Sequence, residues 1–206
     1  MSTKKHWETI YTTKAPQEVS WTEEIPQTSI DLIAKFKLPK FAKIVDIGGG
    51  DSLLVDHLLA LGYTNITILD ISHSAIERAK KRLGEKSLQV KWIVSNILDF
   101  TPPESYDLWH DRAVFHFLTR KEDIETYKAR LTQTETSHVV LGTFSKKGPL
   151  KCSGLPITQY SIEAINTTFS PQFQIIEAFN QDHITPFDTA QSFTFARMTK
   201  KITPLI

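Results

Sequence analysis

The sequence predicts a single α/β domain with a doubly wound, mostly parallel sheet of seven strands and an antiparallel strand added late. The chain has 206 residues, a length that suits one such domain. From residue 42 onward, apolar strand patterns and amphipathic helix patterns alternate four times, which is typical of a parallel sheet with helices on both faces. The last two predicted strands follow each other without a helix, so we expect them to pair antiparallel.

Residues 1–40 are predicted to form an N-terminal helical extension, and residues 41–206 the α/β domain. Leu32, Ile33 and Phe36 give the extension one apolar helical face. The sheet then begins with the apolar run AKIVDI, which ends at a glycine triplet. The predicted strands are short apolar runs of this kind, at residues 42–47, 65–70, 89–94, 105–110, 138–144, 174–179 and 192–198.

Helices are predicted between these strands where apolar residues recur every three or four positions. Residues 52–62 and 72–84 each end at a glycine, the usual residue just past a helix C-terminus. Thr119 and Glu122 form a capping-box pattern ahead of a third helix. A short helix at 161–169 precedes the last two strands, and the segment 180–191 between those strands is predicted to be a loop.

The charge and cysteine content exclude several classes of protein. The 24 basic and 23 acidic residues are scattered and leave a net charge of +1, so we expect no nucleic-acid partner. Cys152 is alone, which rules out an internal disulfide and a zinc–thiolate cluster. Neither a secretory signal nor an apolar run of membrane-spanning length is present. We therefore expect a cytoplasmic protein, monomer or homodimer, that binds no membrane.

Gly48, Gly49 and Gly50 directly follow the first strand. Glycine there permits positive φ and close approach of the backbone to a ligand, and the helix N-terminus near Ser52 favours an anionic group. A dinucleotide fingerprint would place its last glycine where this chain has Leu53, and it does not require the preceding Asp46. An oxidoreductase that uses NAD is therefore disfavoured.

The segment DIGGGDS resembles motif I of class I S-adenosylmethionine (SAM)-dependent methyltransferases, in which an acidic residue precedes alternate glycines. Asp46, Gly48 and Gly50 match, whereas Ser52 stands where that family often has a third glycine. HWETIYTTKAPQEVSW, DLWHDRAVFHFL and KCSGLPITQYS are similar to segments of small bacterial methyltransferases of unassigned substrate. One departure is the turn at 133–137, where that group usually has Pro-Gly-Gly. The resemblance implies a Rossmann-like fold, SAM as cofactor and S-adenosylhomocysteine (SAH) as product.

The resemblance also implies a set of cofactor-binding residues. Asp70 ends the second strand, where a carboxylate accepts hydrogen bonds from ribose hydroxyls, and Ile71 would flank the adenine. Asn96 and Ile97 would hydrogen-bond the adenine, with Asp99 as the alternative to Asn96. The cofactor is also expected to contact Gly49 and His110. Three aromatic residues of the extension, Trp7, Tyr11 and Trp21, are expected to form a lid over it.

The methyl acceptor is expected at the carboxyl ends of the strands, where ligands bind in open parallel sheets. His110, Asp111 and Arg112 end the fourth strand, and His183 lies with Asp182 in the loop 180–191. His110, Asp111 and His183 are candidate bases or acceptor-orienting residues. Arg112 would pair with a substrate carboxylate or, equally, with Asp111.

Other residues near this rim are given structural roles, and no metal site is predicted. Cys152, in the loop 145–160 that also carries Lys151 and Ser153, is expected to be a small buried or lid residue. His116 is expected to be a packed core histidine. A metal ion would have to be bound by His110, Asp111 and His183 together, and the sequence has no close spacing of His, Asp or Glu residues that indicates such a site.

The sequence thus favours a SAM-dependent methyltransferase acting on a small molecule. One alternative is a protein lysine methyltransferase, which would need an open, acidic groove for the lysine. Another is a SAM-binding protein without catalysis, which has little need for the polar rim around His110.

Overall fold

The computed structural model describes residues 3–201 of the chain. Its main sheet has seven strands, which we number in chain order: β1 Lys43–Ile47, β2 Asn65–Asp70, β3 Val90–Val94, β4 Leu108–Arg112, β5 His138–Phe144, β6 Phe173–Ile184 and β7 Ala190–Lys200. The helices are α1 Thr3–Thr13, α2 Gln27–Ala34, α3 Leu54–Ala60, α4 His73–Leu83, α5 Lys121–Gln133 and α6 Ile162–Phe169. A two-residue hairpin, Lys151–Cys152 with Leu155–Pro156, lies beyond β5.

The strand order in the sheet is β3-β2-β1-β4-β5-β7-β6. Strands β1 to β5 pair in parallel, and β7 runs antiparallel to both β5 and β6. The predicted fold class, a mostly parallel seven-stranded sheet with a late antiparallel strand, is therefore confirmed. The order reverses direction between β1 and β4, and in such sheets the ligand crevice lies at the carboxyl ends of those two strands.

The core lies on both faces of the sheet because the central strands are buried on both sides. Val45 and Trp109 face one apolar cluster, which α5 and α6 complete. Ile44 and Leu108, the preceding residues of the same strands, face the other cluster, which α2 and α3 complete. The same alternation decides which polar residues of β4 reach the ligand side.

Local signals explain where several helices begin. Ser72 Oγ accepts a hydrogen bond from Ala75 N and caps α4, and Ser161 Oγ caps α6 in the same way. The predicted capping box at Thr119 is wrong. Helix α5 has Arg120 as its N-cap, so Thr119 lies outside the helix and Glu122 falls one position too early to complete the box.

The prediction of a loop at 180–191 is also wrong, except for residues 185–189. Strand β6 continues to Ile184, so Asp182 and His183 lie on a strand and pair with Ser192 and Gln191 of β7. The hairpin that remains between the two strands is only five residues long. Within residues 3–201, no helix is long and apolar enough to cross a membrane.

Candidate active site

The glycine turn after β1 is shaped by the side chains that crowd it. Gly48 has a φ of +69°, and a Cβ there would collide with Val114 Cγ2. A Cβ on Gly49 would collide with the Asp46 carboxylate, and one on Gly50 would lie 2.5 Å from Asp70 Oδ2. The three glycines therefore keep the backbone close to both carboxylates while leaving the carboxylate edges uncovered.

Asp46 and Asp70 are both buried but short of hydrogen-bond donors. Asp70 accepts a hydrogen bond from Ser72 N at 2.8 Å. Burial raises the pKa of Asp70 to about 7, against the effect of that hydrogen bond, and the nearby Asp46 carboxylate raises it further. Asp46 Oδ2 is buried and has no hydrogen-bond partner among the described residues. Such carboxylates fit a ligand that brings hydroxyl or ammonium donors.

A cavity of about 1120 Å³ opens beside this turn. Pockets for one ligand commonly measure roughly 300–1,000 Å³, so this cavity has room for a cofactor and an acceptor together. It brings together most of the predicted cofactor-binding residues: Trp7, Tyr11, Trp21, Asp46, Gly48, Gly49, Asp70, Ile71, Asn96, Ile97 and His110. Gly50 packs behind Asp70 and does not line the cavity, and Asp99 faces a neighbouring shallow depression.

The N-terminal residues form a roof over the cavity. Trp7 contacts the rings of Trp21 and Phe117 edge to face, at centroid distances of 5.7 Å and 5.3 Å, and Tyr11 lies 6.3 Å from Trp21. Burial raises the pKa of the Tyr11 hydroxyl well above its ordinary value, with a further contribution from Asp70. The aromatic side chains of the predicted lid therefore form one cluster on the cavity wall.

Helix α1 is held against α4 by Glu8, a residue that was not among the predicted site residues. Its carboxylate accepts hydrogen bonds from His73 N at 2.6 Å, Ser74 N at 3.2 Å and Ser72 Oγ at 3.1 Å. These are free donors at the N-terminus of α4, where the helix dipole also favours a negative charge. Burial raises the pKa of Glu8, but these hydrogen bonds outweigh that effect and the net pKa is lowered. A carboxylate from α1 thus fixes the roof beside Asp70.

Residues 19–24, which we call the strap, connect α1 to α2 across the rim. Arg112 Nη1 donates to Trp21 O at 3.0 Å, and Arg112 Nη2 lies 3.0 Å from Glu23 Oε1. His183 Nε2 donates to Ser20 O at 2.6 Å, and His183 Nδ1 lies 3.2 Å from the same Glu23 oxygen. The carbonyl only accepts hydrogen bonds, so His183 Nε2 is the donor to Ser20. Glu23 joins these two side chains to the strap.

The predicted rim residues therefore separate into two groups. His110 and Arg112 line the cavity, whereas Asp111 points to the opposite face of β4 because successive side chains alternate along a strand. Asp111 accepts hydrogen bonds from Tyr127 Oη at 2.7 Å and Val114 N at 2.9 Å, and burial raises its pKa to about 6. The expected pairing of Arg112 with Asp111 is wrong, since Glu23 takes that place. His183 lies behind the strap and does not line the cavity.

His110 forms a buried hydrogen-bonded chain with residues of two other elements. Its Nδ1 lies 2.6 Å from Asp46 Oδ1, and its Nε2 lies 2.8 Å from Ser29 Oγ in the first turn of α2. Strands β1 and β4 place Asp46 directly beside His110 in the sheet register. All three side chains line the cavity. Ser29 was not predicted to belong to the site, because no local sequence pattern links it to a histidine 81 residues away.

His116 and Cys152, which were predicted to have structural roles, are both buried. His116 is buried and stacks on Phe144, and burial lowers its pKa to about 3. Cys152 is buried at the cavity wall, where burial raises the pKa of its thiol to about 12, too high for a thiolate near neutral pH. Among residues 3–201, no three His, Cys, Asp or Glu side chains are grouped to hold a metal ion.

Comparison with known proteins finds similarity to methyltransferases. A family model described as "Methyltransferase domain" matches residues 44–134. The human protein EEF1A lysine methyltransferase 2 is 24% identical over 190 residues, which cover 86% of this chain and 76% of that protein.

Solved structures show the same fold. A SAM-dependent methyltransferase from Anabaena variabilis superposes with a TM-score of 0.75 at 15% identity, covering 98% of this chain and 96% of that one. The 1,6-didemethyltoxoflavin-N1-methyltransferase of Burkholderia thailandensis, solved with 1,6-didemethyltoxoflavin and SAH, superposes with a TM-score of 0.72 at 14% identity, covering 97% and 87%. The matched domain, the sheet order and the buried carboxylates beside a glycine turn together support a SAM-dependent methyltransferase with the class I fold.

Proposed function

We propose that this methyltransferase acts on a small molecule that is enclosed with SAM beneath the N-terminal roof. The observation that carries the proposal is the double attachment of that roof. Glu8 holds α1 against the N-terminus of α4, and Glu23 holds the strap against Arg112 and His183. A roof fixed at both ends favours an acceptor that fits inside the cavity over a lysine presented by a protein surface.

The cofactor would be held by the residues around the glycine turn. Asp70 would accept hydrogen bonds from the ribose hydroxyls, and its raised pKa matches a carboxylate that lacks such donors in the free protein. Ile71, Asn96 and Ile97 would border the adenine, although Asn96 Oδ1 already accepts a hydrogen bond from Leu98 N at 3.1 Å. The free Oδ2 of Asp46 would face the amino-acid end of the cofactor. SAM supplies a methyl group that is already activated on a sulfonium sulfur.

The chain's own contribution would be alignment and exclusion of water. Methyl transfer needs the nucleophile within roughly 3–3.5 Å of the methyl carbon, in line with the bond that breaks. Trp7, Tyr11 and Trp21 would exclude water from the cavity. His110 is a titratable side chain that lines the cavity and contacts the Asp46 carboxylate. Arg112 also lines the cavity, but its guanidinium is paired with Glu23, whereas His183 would act on the acceptor only through the strap.

A protein lysine acceptor is the second candidate, and one observation favours it. EEF1A lysine methyltransferase 2 aligns over most of this chain, and Glu23 and Glu24 on the cavity wall are carboxylates that would attract a lysine. Against it stand the fixed roof and the neutralisation of Glu23 by Arg112. A SAM-binding protein without catalysis would have no use for the buried chain that ends at Ser29.

A labelling experiment separates these candidates. The protein would be incubated with SAM carrying a tritiated methyl group and a cell extract divided into a fraction below about 3 kDa and a protein fraction. We expect label to leave SAM and to appear in a low-mass product that chromatography separates from SAM, and this labelled product to be absent with Asp70→Ala. Label confined to proteins, recovered as methyllysine after hydrolysis, would contradict the proposal.

A further inference from the structure

We propose that Ser29, His110 and Asp46 form a proton relay in which Ser29 Oγ takes the proton from the acceptor as it is methylated. The three groups are continuous and buried: Ser29 is 1%, His110 3% and Asp46 2% exposed. The distances are 2.8 Å from Ser29 Oγ to His110 Nε2 and 2.6 Å from His110 Nδ1 to Asp46 Oδ1. For its acceptor, the inference rests on the function proposed above.

The hydrogen-bond roles follow from the partners. An ionised carboxylate only accepts, so His110 Nδ1 carries the proton directed at Asp46. The neutral ring then has an unprotonated Nε2, which must accept the hydroxyl proton of Ser29. This leaves the lone pairs of Ser29 Oγ for a hydrogen bond from a molecule in the cavity, which Ser29 lines. No other hydrogen bond of that hydroxyl is formed with the described residues.

Charged groups on several elements surround His110. The carboxylate of Asp46 on β1 contacts the ring directly, and Glu23 on the strap and Asp111 on β4 act on it at longer range. Arg112, two residues along β4, opposes them, but its guanidinium is paired with Glu23. A Ser–His–Asp chain of this kind holds the imidazole in one tautomer and stabilises the imidazolium that forms.

The proton balance identifies the class of acceptor. The acceptor X–H gives its proton to Ser29 Oγ while the Ser29 hydroxyl proton passes to His110 Nε2. The X–H electron pair forms the new X–CH₃ bond, the C–S bonding pair remains on sulfur, and water later removes the proton from His110. Such a relay serves a nucleophile that is still protonated at neutral pH, a hydroxyl or an N–H group. A thioether or a tertiary amine would need none.

One test needs no acceptor. Long-range ¹H–¹⁵N spectra of the whole protein at pH 8, with the His110 ring assigned by its loss in His110→Asn, report which ring nitrogen is protonated. We expect Nδ1 to be protonated and Nε2 unprotonated, and Ser29→Ala to shift the Nε2 resonance. A neutral ring protonated on Nε2, or a ring protonated on both nitrogens at pH 8, would overturn the relay.

The kinetic test uses the small molecule that becomes labelled in the extract experiment. For Ser29→Ala we expect kcat to fall about a hundredfold or more at pH 7, which is the range of general base catalysis, and to recover toward high pH as the acceptor ionises by itself. SAH affinity should stay within twofold, Ser29→Thr should restore part of kcat, and Thr28→Ala on the same helix turn should behave as wild type. An unchanged kcat and pH profile in Ser29→Ala would refute the relay while leaving the proposed function intact. Absence of label in small molecules other than SAM would refute the proposed function, and the spectra would still decide the relay.

Discussion

The Glu23 carboxylate lies 3.0 Å from the guanidinium of Arg112, and both side chains are largely withdrawn from water, with 23% and 13% of their surfaces exposed. Burial lowers the pKa of Arg112, and Glu23 opposes that effect. The pair joins the end of β4 to the strap, while His183 contacts the same carboxylate from β6. Three separate elements therefore depend on one glutamate at the cavity rim.

Removing the charge of Glu23 should destabilise the protein. In Glu23→Gln a mostly buried guanidinium loses its anionic partner, and we expect a loss of roughly 2–4 kcal/mol in the free energy of unfolding, near the lower part of the range for broken buried pairs. Urea unfolding measures this quantity. Glu24→Gln, next to it on the strap but exposed and without an ion pair among the described residues, should change stability by less than about 0.5 kcal/mol. Equal effects of the two variants would show that the pair does not hold the strap.

Removing the Glu8 carboxylate should loosen the roof without unfolding the sheet. Glu8→Ala leaves three donors at the α4 N-terminus unpaired, and loss of such a cap costs about 1 kcal/mol. Amide hydrogen exchange should then speed up in α1 by roughly fivefold and stay unchanged in β1 and β4. Thr13→Ala, an exposed change on the same helix, is the control. Unaltered exchange in α1 would mean that its aromatic contacts alone hold it.

SAH binding should depend on the ionisation of Asp70. Burial raises the pKa of Asp70 to about 7, so the carboxylate is mostly protonated at pH 6 and mostly ionised at pH 8. Ribose hydroxyls donate hydrogen bonds best to the ionised form, so SAH affinity should rise about tenfold between these pH values. Titration calorimetry at each pH measures it.

The matched variants for this prediction are Asp70→Asn and Asp188→Asn. The first should bind SAH at least tenfold more weakly, on the order of 1.4 kcal/mol, and should lose the pH dependence between 6 and 8. The second changes an exposed hairpin residue and should keep both the affinity and its pH dependence. A pH-dependent affinity that survives in Asp70→Asn would assign the titration to another group.

Crowding at the glycine turn predicts a difference between two glycine-to-alanine variants. Gly48 and Gly154 both have positive φ, at +69° and +78°, so alanine strains the backbone at either position by about 1 kcal/mol. At Gly48 the new methyl group also meets Val114, whereas at Gly154 it meets nothing within 4 Å. Gly48→Ala should therefore have the lower thermal midpoint, by several degrees, and bind SAH more weakly. Equal midpoints would show that Val114 moves aside freely.

Strands with a strong apolar pattern were predictable from the sequence, and the polar end of the sheet was not. Residues 65–70 and 138–144 are buried runs bounded by turns, and the structure has β2 and β5 with the predicted bounds. Asn180 to His183 are polar, yet they extend β6 because backbone pairing with β7 holds this edge strand. Hydrophobic periodicity carries no signal for such pairing.

The candidate site was also predictable only in part. The glycine turn, Asp46 and Asp70 depend on a local strand–turn–helix pattern, so their place at the cavity was predictable. Side chains alternate along a strand, so Asp111 faces away from His110 although the two residues are neighbours in the sequence. Ser29 and Glu8 act through contacts across 81 and 65 residues, which a single sequence does not encode as a pattern.

Calorimetry of the wild-type protein with SAM, SAH and NAD tests the central claim most directly, since everything proposed for the roof and the relay depends on which cofactor enters the cavity. We predict dissociation constants in the micromolar range for SAM and SAH, about −8 kcal/mol of binding free energy, and no heat of binding for NAD. Tight binding of NAD without binding of SAM or SAH would contradict the account.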